Sequence, residues 1–253
     1  MSNSALVSYT KISPNRNSPR NHAIDRISIH CVVGQCTVER IGEIFAPESR
    51  EASSNYGIGL DGRIGMYVEE KDRSWCTSSG ANDHRAVTIE VASDTAHPYA
   101  VKAAAFSALL DLCTDICKRN GKKRLLWFGD KEKTLAYTPK ADEMVLTVHR
   151  WFANKACPGE YLYSRHGEIA AEVTKRLAAA DKPAEPTAPA GTGDNPSAWA
   201  KTATEYCKRK GIFAGDGAGN FDWQKPITRE QVAAVLYRTL ERAGLLEALP
   251  DKK

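Results

Sequence analysis

A proline- and glycine-rich segment at residues 181–194 constrains this chain most strongly, because it predicts two separately folded units. The segment holds three prolines and two glycines and has no apolar periodicity. Such a sequence cannot bury enough surface to offset the entropy lost on ordering, so we expect an extended, semi-rigid linker. The sequence therefore predicts a domain at residues 1–180 and a smaller one at 195–253.

Charge and hydropathy exclude two classes of partner. The chain has 35 Lys and Arg against 31 Asp and Glu, and a net charge of +4 is too small for a dedicated nucleic-acid binder. No apolar run approaches the roughly 18–20 residues that cross a bilayer. Residues 1–22 are polar and lack the apolar region of a secretory signal, so we expect no export by that route. We therefore predict neither nucleic acid nor membrane as a partner.

The seven cysteines do not predict a disulfide scaffold. Their number is odd, the chain is long and no export signal accompanies them. We expect most of them to be reduced and buried. Cys113 and Cys117 lie four residues apart on a helical pattern, which places both on the same core-facing side of a helix.

The hydrophobic pattern of the larger unit mixes strands with helices. Residues 86–92 alternate, with Val87, Ile89 and Val91 on one face and Glu90 on the polar face. Asp61-Gly62 is a hairpin-turn dipeptide. This mixture predicts an α/β fold, with a mixed central sheet flanked by helices. The expected strands are 26–33, 55–58, 63–68, 86–92, 125–128 and 144–148, and the expected helices run from Pro98 to Asn120 and over 161–180.

The smaller unit is expected to be a small helical domain. A helical stripe ends near Gly211, and a Gly/Asp-rich loop follows at 215–220. Thr228 is a candidate N-cap for a second helix, with Glu230 and Gln231 in the first turn. The expected buried positions are Trp199, Ala203, Tyr206 and Cys207 in the first helix and Val232, Val235, Leu236 and Leu240 in the second.

Three side chains are candidate metal ligands. His30 and His149 each end an apolar strand, and Cys157 follows His149 by eight residues. Two imidazoles and a thiolate suit Zn²⁺, and three protein ligands leave a fourth position for water. Water bound there has a pKa of roughly 7 and supplies hydroxide at neutral pH. On spacing alone, structural histidines and a buried small cysteine remain the commoner alternative.

Four stretches of the larger unit together form a recognisable pattern, namely residues 27–30, 54–64, 86–91 and 149–159. This pattern resembles the type 2 N-acetylmuramoyl-L-alanine amidases, a family that includes phage lysozyme-like amidases and peptidoglycan recognition proteins. The resemblance implies that His30, His149 and Cys157 hold zinc. It also implies that Lys155 stabilises the oxyanion and that Glu90 transfers protons. The substrate would be the amide that joins N-acetylmuramic acid to L-alanine in peptidoglycan.

Two further residues are candidate substrate contacts. Several relatives carry a Tyr that orients the zinc-bound water, at the position occupied here by Ser54. Tyr56 lies two residues further on the same strand face, so we consider it a candidate for the cleft. His84 lies in the loop at 75–85 and is either a groove residue or an ordinary loop histidine.

Residues 195–250 resemble one S-layer homology repeat, which implies binding to an anionic secondary cell-wall polymer. The resemblance is carried by 199–200, 210–213, 215–221 and 226–231. It implies that Arg229 contacts the polymer, because a guanidinium suits an acidic sugar. The family usually has three repeats and this chain has one, so either one copy binds weakly or several chains assemble as a homo-oligomer. A small helical packing domain is the alternative.

These features together predict an endolysin, a peptidoglycan hydrolase held in the host cytoplasm until lysis and then active at the cell wall. One alternative is a non-catalytic peptidoglycan-recognition protein with the same fold. A second is a cysteine hydrolase that uses Cys31 or Cys157 with a histidine.

Overall fold

A computed structural model describes residues 2–181, 195–216, 219–225 and 227–246, without the side chains of residues 180 and 181. The predicted linker from residue 182 onwards, and residues 217, 218 and 226 of the predicted wall-binding motifs, lie outside the described residues. Contacts within the chain divide it into two compact units, Met1–Lys182 and Pro183–Lys253. Among the described helices, none has the length and apolarity needed to cross a bilayer.

The larger unit is built on a mixed sheet flanked by helices, as predicted. Within the described residues the sheet has the order β1-β5-β4-β7-β3-β9-β8, and a two-stranded ribbon pairs β2 with β6. The β4–β5 pair is antiparallel and the other sheet pairs are parallel. The strands are β1 (Val7–Thr10), β2 (Arg16–Asn17), β3 (Arg26–Cys31), β4 (Tyr56–Ile58), β5 (Ile64–Met66), β6 (Arg73–Ser74), β7 (Ala86–Val91), β8 (Arg124–Leu126) and β9 (Glu143–Thr147).

The central strands are buried on both faces. Every residue of β3 is buried, including Ser28, whose hydroxyl donates to the Thr147 carbonyl at 3.2 Å. Thr88 of β7 is also fully buried, and its backbone N–H donates to the Asn55 side chain at 3.1 Å. The apolar and polar residues that alternate along β7 therefore point into two buried layers, one on each face of the sheet, and neither face is open to solvent. This is usual where a parallel sheet is covered on both sides.

The helices cover the sheet and enclose two apolar clusters. Leu109, Leu112 and Ile116 of α3 lie in the main cluster together with Ile169 and Val173 of α6. Cys113 and Cys117 are both fully buried, which confirms their predicted placement. The helices of this unit are α1 (Val38–Phe45), α2 (Gly80–Asp83), α3 (Ala103–Arg119), α4 (Lys131–Ala136), α5 (Gly159–Tyr163) and α6 (His166–Asp181), with 3₁₀ turns at Glu48–Arg50 and His149–Trp151.

Two turn predictions are confirmed and one helix start is wrong. The Asp61-Gly62 hairpin joins β4 to β5, with Gly62 at φ 86°, and α3 ends before Gly121 at φ 67°. The helix expected from Pro98 begins at Ala103 instead. Tyr99 has a left-handed φ of 62°, and the Asp94 N–H donates to the Ala100 carbonyl at 2.8 Å, so this stretch forms a loop.

The smaller unit has the predicted helices but not the predicted core. Its elements are a 3₁₀ turn (Ala198–Ala200), α7 (Lys201–Arg209) and α8 (Arg229–Arg242), and Thr228 and Gln231 form a capping box. No described residue of α7 or α8 is buried, and Leu236 is 57% exposed and Trp199 89%. The expected buried stripes are therefore wrong, because two helices and a loop are too few elements to enclose large side chains.

All seven cysteines lie in the described part of the chain and are free thiols. Only Cys31, Cys113 and Cys117 are buried, so the expectation that most are buried is wrong. The other four are partly exposed, and two of these, Cys76 and Cys157, lie at the carboxyl edge of the sheet described next.

Candidate metal centre and active site

The candidate site forms where three parallel strands end. His30 of β3 is in register with Glu90 of β7, so the two side chains project from the same sheet face. Ser28 of β3 pairs with Thr147 of β9, which places His149 just beyond the end of the neighbouring strand. The carboxyl ends of parallel strands meet at one edge of a sheet, where ligand sites commonly form.

The three predicted metal ligands converge at this edge. Cys157 Sγ lies 3.3 Å from His30 Nδ1, and the His30 and His149 ring centroids are 5.1 Å apart. One donor atom from each residue lies within 4.8 Å of the others. Tetrahedral zinc with ordinary bond lengths separates its nitrogen and sulfur ligands by roughly 3.5 Å. The geometry therefore fits one ion bound to two imidazoles and one sulfur.

A second group of potential ligands shares His30. It consists of His30, Cys76 and Glu90, again with donor atoms within 4.8 Å of one another. Cys76 Sγ lies 3.9 Å from Glu90 Oε1, and that oxygen lies 4.0 Å from His30 Nδ1. These separations are longer than the His30–Cys157 contact, so the first group has the closer fit.

A tight turn presents Cys157 to the site. The Arg150 N–H donates to the Cys157 carbonyl at 3.2 Å, and the Arg150 guanidinium donates to the Ala156 carbonyl at 2.8 Å. Gly159 follows at φ 78°, and a Cβ at this position would lie 2.7 Å from Tyr99 Cβ. Only glycine therefore allows the chain to leave the turn along this path.

A loop anchored by a buried carboxylate orients His149. Asp83 is 2% exposed and accepts hydrogen bonds from the Cys76 N–H at 3.0 Å and the Thr77 hydroxyl at 2.6 Å. The next residue, Ser78, contacts His149 Nε2 through its hydroxyl at 3.0 Å. This contact occupies Nε2, so Nδ1 is the ring nitrogen of His149 that remains to bind a metal ion.

Burial keeps both histidines neutral. It lowers the pKa of His30 well below the usual value, and the repulsion that would arise if both His30 and His149 were protonated acts in the same direction. Burial also lowers the pKa of His149, and the nearby Lys155 ammonium adds to this effect. Neutral imidazole is the form that binds metal ions.

Burial acts in the opposite direction on the two acidic groups of the site. It raises the pKa of the Cys157 thiol well above the usual value and the pKa of Glu90 to about 7, the latter opposed by the charge of Arg50. Glu90 keeps 16% of its side-chain surface exposed. A carboxyl group that titrates near neutrality can both accept and donate a proton.

Two buried polar atoms at this site lack a hydrogen-bond partner among the described residues. They are His30 Nε2 and Glu90 Oε2. Unpaired buried polar atoms are rare in folded proteins because desolvation is costly, so each calls for an explanation such as a catalytic role or a bound water or ion. The donor chemistry of His30, His149 and Cys157, with Glu90 Oε2 unpaired beside them, fits a divalent ion such as zinc.

The other predicted residues have different outcomes. Lys155 is exposed and lines the same cleft as His149. Tyr56 is fully buried, and its hydroxyl donates to Glu70 Oε1 at 2.7 Å, so its predicted place in the cleft is wrong. The register explains this, because Tyr56 pairs with Ile89 and thus lies on the sheet face opposite to Glu90.

His84 is not brought to this site. The His84 ring accepts a hydrogen bond from the Asn21 N–H at 3.0 Å, and His84 lines neither the cleft beside His149 nor the adjoining cleft lined by Arg26 and Arg85. Arg229 is the exposed first residue of α8 in the smaller unit. Its predicted contact with a cell-wall polymer stays a prediction.

Sequence reasoning missed several residues at the site. Cys76 and Ser78 contact Glu90 and His149, and Arg50 and Arg73 line the cleft beside them. These residues come from loops without a periodic pattern. The one available signal was the dense polar stretch at 73–85, which is unusually rich in residues that bond to backbone groups.

Family comparison identifies the larger unit. The family model described as N-acetylmuramoyl-L-alanine amidase matches residues 10–160, which is more than half of the chain. The chain belongs to this amidase family. The S-layer homology domain model matches residues 194–233. No curated protein sequence matches the amidase chain.

Solved structures with a similar fold include other amidases and a recognition protein. An AmpD derivative is 17% identical with a TM-score of 0.48 and aligns over 66% of this amidase and 96% of its own chain. The endolysin amidase LysCS from Clostridium intestinale URNW is 19% identical (TM-score 0.45, 66% and 92% covered). Drosophila peptidoglycan recognition protein SA is 16% identical (TM-score 0.43, 60% and 81% covered).

Proposed function

We propose that the chain is a zinc-dependent amidase that cleaves the amide between N-acetylmuramic acid and L-alanine in peptidoglycan. The observation that carries the proposal is the convergence of His30, His149 and Cys157 at the carboxyl edge of the sheet. These three residues would hold the ion. Zinc held there would polarise the substrate carbonyl and make water acidic enough to attack at neutral pH.

The chain's own residues supply the proton transfers and the charge. Glu90 Oε1 lies 4.0 Å from His30, and the raised pKa lets this carboxyl accept a proton from the attacking water. It then gives that proton to the amino group of the departing L-alanine. The Lys155 ammonium, at the cleft beside His149, stabilises the negative charge on the carbonyl oxygen in the transition state.

The buried setting of the site supports hydrolysis over simple recognition. A binding module needs polar contacts but gains nothing from a buried carboxyl group held between its two protonation states. Glu90 in this state, next to two neutral imidazoles and a thiol, is costly to maintain and typical of catalytic sites.

Product analysis tests the proposal. We expect the full chain to release stem peptides with a free L-alanine amino group from purified peptidoglycan, as measured by mass spectrometry. A zinc chelator should abolish the release, and added zinc should restore it. Activity that survives the chelator but is lost on thiol alkylation would support a cysteine hydrolase instead, and no release at all would support a recognition protein.

We further propose that the smaller unit attaches the enzyme to an anionic polymer of the bacterial cell wall, with Arg229 as one contact. The match to the S-layer homology domain supports this role. Assembly into a homo-oligomer, and storage in a host cytoplasm before lysis, stay predictions. Sedimentation of the full chain with purified walls, before and after chemical removal of the secondary polymer, tests the attachment.

A further inference from the structure

A second feature of the site is a positively charged cleft beside the candidate metal ligands. The cleft has a volume of about 480 Å³, and His149 and Cys76 are among the residues that line it. Arg50, Arg73 and Lys155 also line it. Three cations around one small cleft create a field that attracts an anionic group of the substrate.

The cations of this cleft act on neighbouring groups through their charge, Arg73 on Asp83, Arg50 on Glu90 and Lys155 on His149. Among the described residues, none of the three forms an ion pair, and Arg73 Nε is buried without a hydrogen-bond partner. The adjoining cleft differs, because Arg26 there donates to Asn82 at 3.0 Å and Arg85 Nε donates to Asp25 at 2.9 Å. No hydrogen bond among the described residues occupies the guanidinium groups of Arg50 and Arg73, so both can donate to a ligand, beside the Lys155 ammonium already assigned to the transition state.

The acidic residues of the same cleft offset these cations in part, since Asp83 feels the charge of Arg73. The Asp83 carboxylate is already occupied by hydrogen bonds from Cys76 and Thr77, and it is 2% exposed. Glu51 is the exposed carboxylate of the lining and makes no ion pair among the residues described. The three cations therefore outnumber the one solvent-facing acid.

The surroundings of Arg73 hold its guanidinium in place. Its Cζ lies 5.9 Å from the centre of the Trp75 ring. A Cβ at Gly80 would lie 2.7 Å from Arg73 Nη1, so the absence of a side chain at Gly80 leaves the space that the guanidinium occupies. A positioned guanidinium recognises carboxylates better than a mobile cation does, because both ends of its planar fork can donate.

We infer that Arg73, assisted by Arg50, selects substrates that carry a free carboxylate close to the scissile amide. This inference rests on the proposed function. In a peptidoglycan stem peptide, the residue after L-alanine is a glutamate whose α-carboxyl group is free in some walls and amidated in others. The candidate ligand His149 also lines this cleft, and a volume of about 480 Å³ is large enough to hold such a group.

A matched pair of substrates tests the inference. Two N-acetylmuramoyl tripeptides are compared that differ only at the α-carboxyl group of the second residue, free in one and amidated in the other. For the zinc-loaded full chain, we expect kcat/KM to be roughly tenfold to a hundredfold higher for the peptide with the free carboxylate. This ratio corresponds to the usual contribution of one charge-assisted hydrogen bond to binding.

Variants of the full chain then assign the preference. Arg73→Gln should raise KM for the free-carboxylate peptide and bring the ratio of kcat/KM for the two substrates near one. Gly80→Ala, which displaces the guanidinium but keeps its charge, should give an intermediate ratio. Arg40→Gln is the control, because Arg40 is 63% exposed and pairs only with Glu43.

Three results would overturn the inference. Equal cleavage of the two peptides by the wild type would refute the selectivity while leaving the proposed function intact. An equal loss on both peptides in Arg73→Gln would show a structural role for this residue. Cleavage of neither peptide would refute the proposed function and this inference with it.

Discussion

Replacing Glu90 with glutamine should stabilise the metal-free protein at high pH while abolishing its activity. The fold raises the pKa of Glu90 from 4.5 to about 7, mainly through burial. Between these values the native state holds a proton that the unfolded state has lost, so the free energy of unfolding falls as pH rises. One pKa unit is worth about 1.4 kcal/mol, which gives a loss of about 3 kcal/mol that is complete above pH 7.

Urea unfolding of the chelator-treated protein at pH 5 and pH 8 measures this effect. Because Glu90 keeps 16% of its side chain exposed, about 3 kcal/mol is an upper bound for the gain from Glu90→Gln at pH 8. At pH 5, where native Glu90 is protonated, the gain should be small. Glu168→Gln is the control, since Glu168 is 61% exposed and 3.8 Å from Arg165. The reasoning is refuted if Glu90→Gln destabilises the metal-free protein at pH 8.

Four other perturbations have defined outcomes. Gly159→Ala should weaken zinc affinity at least tenfold because it moves the Cys157 turn. Gly121→Ala is the control, since Gly121 is also at positive φ but a Cβ there would meet no atom within 4 Å, so only the free energy of unfolding should fall. Zinc titration of both variants separates the two effects. Tyr56→Phe should lower the free energy of unfolding by about 1–3 kcal/mol by leaving buried groups unpaired, with kcat unchanged; a large loss of kcat would return Tyr56 to the site. Zinc affinity should rise about tenfold per pH unit near neutrality, because the fold raises the pKa of the Cys157 thiol and the thiol must lose its proton to bind zinc. A zinc affinity that does not change with pH in competition titrations would contradict the assignment of Cys157 as a ligand. Arg229→Gln should reduce sedimentation with purified walls and leave cleavage of soluble muropeptides unchanged; unchanged sedimentation would exclude Arg229 as a wall contact.

Local signals predicted the central strands and the long helices, but among the described elements they missed three strands and three helices. The missed elements are β1, β2, β6, α1, α2 and α4. Alternation identified the central strands, Asp61-Gly62 identified the hairpin, and Thr228 with Gln231 identified the cap of α8. Each signal acts within a few residues, so the sequence alone expresses it. The start of α3 was misplaced because Tyr99 takes a left-handed conformation, which neither Pro98 nor the apolar periodicity after it reveals.

Pairing between distant segments determined what the sequence left open. Tyr56 and Ser54 are two residues apart, which predicts that both side chains point to the same side of the strand. Only the register of β4 against β7 shows that the Tyr56 side chain points into the core. The apolar stripe of α8 predicted a helix correctly, yet it remains exposed because no described element of its unit covers it.

The site was predictable only in part for the same reason. His30, His149 and Cys157 were found from strand ends and from the family resemblance, and the structure brings them together. Arg50, Arg73 and Ser78 reach the cleft through loops that Asp83 and Gly80 shape. No local pattern places such loops, because their position depends on contacts with a sheet edge that lies far away in sequence.

A zinc titration with activity measured on the same samples tests the central claim most directly. Chelator-treated protein receives zinc in steps, and bound zinc and the release of L-alanine amino groups from muropeptides are followed together. We expect activity to rise in proportion to bound zinc and to stop rising at one ion per chain. Full activity in samples without bound zinc, or zinc bound without any gain in activity, would contradict the assignment of His30, His149 and Cys157 as the catalytic metal site.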